Sequence, residues 1–137
     1  PADVIGWLRA AGGPYAVSRP SLALAAARLA GDDADVRAYI RQIREERGRL
    51  ATLLANLGAE PLPSQANFVL ARFRDAAKVR TDLAARGIAV RAFAGRPELE
   101  GWLRIACPAD PTAFTRLEVA LTAVLTGAPF SARRGGA

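Results

Sequence analysis

The sequence predicts a mixed α/β (α+β) fold, with helices leading into a small β-α-β-β-α domain of three main strands and helices on one face. Three observations carry this. Apolar residues recur at three- and four-residue steps between about 33 and 57, and alternating segments rich in branched and aromatic residues follow from 66 onward. Gly and Pro mark the places where one pattern gives way to the next. With 51% apolar and 23% charged residues in 137, the chain has the balance of a globular domain with a real core.

Residues 2–11 (ADVIGWLRAA) read as a helix stopped by Gly12-Gly13-Pro14. Tyr15 to Arg19 is expected to be extended, and Ser18 then caps a helix with Pro20 in its first turn. That helix, SLALAAARLA, is apolar nearly all round and should be buried against something large; Gly31 ends it. From 33 to 57, Val36, Tyr39, Ile40, Ile43, Leu50, Leu53, Leu54 and Leu57 form one stripe, with Arg47 inside it, snorkelling or pairing. Gly58 supplies the left-handed stop. At 1.5 Å per residue the helix is about 36 Å long, the length of a connector between two domains.

Ala66–Phe73 (ANFVLARF) alternates as a strand does. Asp75 caps a helix through Arg86, with Val79 and Leu83 inward and Gly87 as its stop. Ile88–Phe93 reads as a second strand and Gly101–Cys107 as a third. Asp110-Pro111 starts a last helix to about Leu125, with Phe114, Leu117, Leu121 and Leu125 on one face. The expected organisation is 1–31 as a remnant of another domain, 32–58 as a connecting helix, 59–127 as a small α/β domain and 128–137 as a frayed tail.

Composition removes several function classes. No apolar run approaches the roughly 20 residues of a membrane span, and no basic-then-apolar leader opens the chain, so a cytoplasmic protein is expected. Net charge is +6, yet the arginines alternate with acids along helical stretches instead of clustering, which argues against a nucleic-acid surface. With no His and one Cys, the chain offers neither a Ser/His/Asp or Cys/His arrangement nor the usual soft metal ligands. Cys107 ends an apolar strand and reads as a buried structural thiol. There is no Gly-rich loop followed by Lys-Ser/Thr, and Glu98 and Glu100 lie in a turn as solvated groups.

What remains is arginine inside strands: Arg91 in IAVRAF and Arg104 in WLRIA. A charge within an apolar strand is costly unless paired or used, and a planar guanidinium suits carboxylate or phosphate. The pattern leaves anion binding and a sheet-edge ion pair equally open for Arg104 and favours the ion pair for Arg91.

PSQANFVLARF (63–73), the helix ending RGIAVR (86–91) and LRI (103–105) resemble the C-terminal domain of histidinol-phosphate aminotransferases, of the class I/II, fold-type I group that uses pyridoxal phosphate. PYAVSRPS (14–21) resembles that family's segment just downstream of its cofactor lysine, and the 13-residue step from Arg91 to Arg104 is similar too. Ala106-Cys107-Pro108 departs from the Thr and Gly-Thr turn usual there, so an aromatic amino acceptor or a phosphothreonine decarboxylase-like activity stays open.

The resemblance implies substrate-binding roles. Arg104 would hold an amino-acid carboxylate, Arg91 would join it on the phosphate of histidinol phosphate, Asn67 would shape the site, and Tyr15 would lie near its entrance. It implies pyridoxal phosphate as cofactor, a homodimer, and small-molecule amino-acid or phosphate-bearing substrates without nucleic acid or membrane. It also places the cofactor lysine upstream of the matched segments, whereas the sequence contains Lys78 alone, so no catalytic or cofactor-binding residue is expected in these 137 residues and they should be inactive by themselves. A stand-alone anion-binding or dimerisation module is the competing reading.

Overall fold

The computed structural model describes residues 2–12, 17–31 and 34–127. It divides into two compact units, residues 1–37 and 38–137. Tyr15 and the tail from 128 lie outside the described residues.

The first unit holds helix α1 (Ala2–Ala11) and helix α2 (Arg19–Ala30). Ser18 caps α2 as its sequence predicts, its hydroxyl accepting from the Ser21 N–H at 3.2 Å, and Gly31 closes it. No residue of α2 is buried; Leu24 and Leu29 are 69% and 87% exposed, so the cover its apolar surface calls for is not among the described residues.

Helix α3 (Ala34–Asn56) runs into the second unit. Only the later part of its stripe is sunk: Ile43, Leu50 and Leu54 are buried, whereas Tyr39 and Ile40 are exposed. Gly58 ends the helix at φ +81°, and the Ala59 N–H reaches back to the Leu54 carbonyl at 2.9 Å.

The sheet has three antiparallel strands in the order β1 (Glu60–Pro61), β2 (Phe68–Arg72) and β3 (Trp102–Ala106). Residues opposite one another share a face, so Val69, Ala71, Leu103 and Ile105 form one side. All four are buried, in one cluster with Leu50 and Leu54 of α3, Val79 and Leu83 of helix α4 (Ala76–Ala85), and Phe114, Leu117 and Leu121 of helix α5 (Pro111–Thr126). The cap predictions hold: Asp75 accepts from the Lys78 N–H, and Asp110 from the Ala113 N–H.

The strand expected at Ile88–Phe93 is not one. That segment touches the sheet at a single antiparallel bridge, Arg91 to Arg104, on the free edge of β3. Gly87, at φ +71°, turns the Ile88 N–H back onto Leu83, and the Arg96 N–H closes another turn onto Phe93, so the chain meets the ladder only in passing. The third strand is instead β1, two residues that pair with the other edge of the sheet.

Candidate functional site: an arginine-bearing sheet face

The helix-covered face of the sheet leaves the opposite face to Phe68, Leu70, Arg72, Trp102, Arg104 and Ala106, all partly or fully open to solvent. Leu70 stands across from Arg104, and Arg104 across from Arg91. The two arginines exchange both backbone hydrogen bonds, Arg91 N–H to Arg104 C=O at 3.1 Å and Arg104 N–H to Arg91 C=O at 2.8 Å. Opposed residues of an antiparallel bridge project to the same side, so both side chains leave from one face.

Arg104, half-buried at the middle of β3, carries its Cζ 5.1 Å from the Phe68 ring centroid. Arg91 is exposed, with Cζ 5.9 Å from the Phe93 ring. Among the described residues neither forms an ion pair, which sets aside the sheet-edge salt bridge expected for Arg91. A ring face attracts a guanidinium without neutralising it, and its N–H edge stays free for an oxyanion.

Asn67 sits one residue before β2, exposed, with its carbonyl accepting the Cys107 N–H at 2.9 Å. Cys107 is buried, and burial pushes its thiol up to about 11, aided by the carboxylate of Glu46 and opposed by Arg47. A thiol so held is a poor nucleophile at neutral pH.

Two features escaped the sequence reading. Arg72 shares the open face, a fact the two-residue period from Leu70 would have given. It borders a cavity of about 530 Å³ also lined by Glu98, Glu100 and Trp102, and those carboxylates make it a weaker anion site than Arg104. Glu46 is fully buried, and its spacing of three from Ile43 and four from Leu50 marks it as a stripe position.

The sequence pattern of the family described as "Aminotransferase class I and II" matches residues 1–123. The chain belongs to that family. It is 40% identical over 99 residues to histidinol-phosphate aminotransferase 1 of Thiobacillus denitrificans, a match covering 71% of this chain and 26% of that protein. It is 37% identical over 107 residues to the histidinol-phosphate aminotransferase of Xanthomonas euvesicatoria, covering 76% and 30%. Among solved structures, a Burkholderia pseudomallei protein proposed to be an aminotransferase superposes with a TM-score of 0.56 at 30% identity, over 62% of this chain and 26% of that one. The chain thus spans under a third of the length of these relatives.

The fold is therefore the small α/β arrangement found in aminotransferases, with its sheet antiparallel. The described residues do not fit pyridoxal phosphate, which aminotransferases hold through a lysine amine. Lys78, the single lysine of the sequence, is exposed on α4 with its Nζ paired to Asp82.

Proposed function

We propose that these residues form the substrate-anion-holding part of a pyridoxal-phosphate-dependent aminotransferase acting on histidinol phosphate and glutamate or their keto partners. The observation that carries the reading is the Arg91–Arg104 bridge, which sets two guanidiniums on one open sheet face with no acid paired to either among the described residues. The names of the relatives point to histidinol phosphate, and glutamate as amino donor is what the resemblance implies.

In this reading Arg104, braced by Phe68, takes a carboxylate or phosphate in bidentate fashion, and the more exposed Arg91 adds a second positive charge for a dianionic phosphate. Fixing the anion fixes the substrate's rotation, so its amino-bearing carbon is delivered in one orientation. Asn67, near the Phe68 end of the face, limits the site's shape. The cofactor, its lysine and the remaining site would belong to a longer protein of which these residues are a part, a cytoplasmic homodimer.

The test is amino transfer by the cellular polypeptide that carries this segment. Turnover of histidinol phosphate with 2-oxoglutarate is expected, and its absence alongside turnover of an aromatic amino acid would reassign the acceptor. The isolated 137-residue chain is expected to leave the visible spectrum of added pyridoxal phosphate unchanged.

A further inference from the structure

Glu46 and Arg47, neighbours on α3, face the same end of the β2–β3 pair. The buried Glu46 carboxylate accepts from the Gln42 amide on one oxygen and from the Ala109 N–H on the other, both at 2.9 Å. Ala109 stands at φ +55°, a left-handed position that costs an alanine about 1 kcal/mol or more unless its surroundings hold it. Arg47 donates to the Ala66 carbonyl at 2.9 Å, while the Ala66 N–H is taken by the Ser64 hydroxyl. One residue beyond Ala66, the Asn67 carbonyl receives the Cys107 N–H at 2.9 Å. Consecutive side chains of one helix therefore grip the segment entering β2 and the segment leaving β3, and those two segments are bonded to each other.

We propose that Glu46 and Arg47 are positioning residues, a two-residue clamp that fixes Phe68 against Arg104 and so sets the guanidinium's aim at its anion. Arg47 acts through Ala66 on Phe68, whose ring lies 5.1 Å from the Arg104 Cζ. Glu46 acts through Ala109 and Cys107 on the end of β3, two residues past Arg104. Neither touches the substrate. Each Glu46 oxygen and the Ala66 carbonyl has its partner within this corner, so a neutral or shorter replacement leaves a half-buried group unsatisfied and frees the corner to shift. The role rests on the anion-holding reading of Arg104.

The experiment follows the Arg104 Nε–H resonance in the full 137-residue chain during titration with inorganic phosphate. Arg47→Met keeps the side-chain stem and removes the hydrogen bond; Glu46→Gln keeps one acceptor and removes the charge. Leu121→Ala, a core change on α5, serves as a variant destabilised without touching the clamp. The clamp predicts about tenfold weaker phosphate binding in Arg47→Met, at a temperature where it is fully folded, against parent-like binding in Leu121→Ala. It also predicts loss, without ligand, of the Phe68 ring-current shift on Arg104. Should Arg47→Met fail to fold, Glu46→Gln is read in the same way. Unchanged affinity and ring-current shift in a folded clamp variant overturn the proposal while leaving the anion reading intact. No phosphate-dependent shift in the parent chain overturns the anion reading, and the positioning role with it.

Discussion

The sign of a single side chain's contribution is easiest to see at Cys107. Its folded-state value is about 11, against an ordinary value of 9.0, so the folded protein favours the neutral thiol more than the unfolded chain does. That preference contributes fully below pH 9 and is lost as pH rises toward 11, by up to about 3 kcal/mol. Urea midpoints should therefore fall across that window in the parent and fall less in Cys107→Ala. Alkylation at neutral pH should be slow until the chain unfolds. Glu46 contributes through hydrogen bonds: its buried carboxylate accepts from the Gln42 amide and from the Ala109 N–H. Glu46→Ala strands the Ala109 N–H and opens a cavity, which should cost about 2–4 kcal/mol by denaturant titration. Its burial was legible only to a reading that counts the stripe through a charged letter, because charge marks Glu45 and Glu46 as solvated.

Among the elements, the helices were legible because their signals are local. Asp75, Asp110 and Ser18 cap where their side chains can reach the third residue on, and Gly58 and Gly87 adopt the left-handed stops expected of them. Strands depend on distant partners, and there pattern and structure part. Glu60–Pro61 carries no strand pattern and pairs only because the edge of β2 is available, whereas IAVRAF has the pattern and is bent away by the turns that flank it. Gly87 tests the element scale directly. A Cβ there would stand 2.7 Å from the Arg116 Nη2 that bonds the Arg86 carbonyl, on top of the positive φ. Gly87→Ala should lower stability by about 1–2 kcal/mol, seen as a lower thermal midpoint. A change within 0.3 kcal/mol would show that the turn relaxes freely.

For the molecule as a whole, the family was legible from three short segments in order, and the arginines of two of them do meet on the sheet. Their shared face comes from a single bridge and not from the two paired strands the pattern suggests, since Arg91 lies outside any strand. The exposed Leu22, Leu24 and Leu29 of α2 carry a further expectation at this scale. The chain should self-associate as concentration rises, and sedimentation velocity showing a clean monomer at high concentration would contradict it.

The most direct test of the account is the kcat/KM for histidinol phosphate of the cellular polypeptide containing this segment, compared with its Arg104→Ala variant. Loss of a charged bidentate contact predicts a fall of roughly 10- to 100-fold in the variant, partly retained in Arg104→Lys. Equal values for parent and Arg104→Ala would show that the arginine face does not hold the substrate's anion.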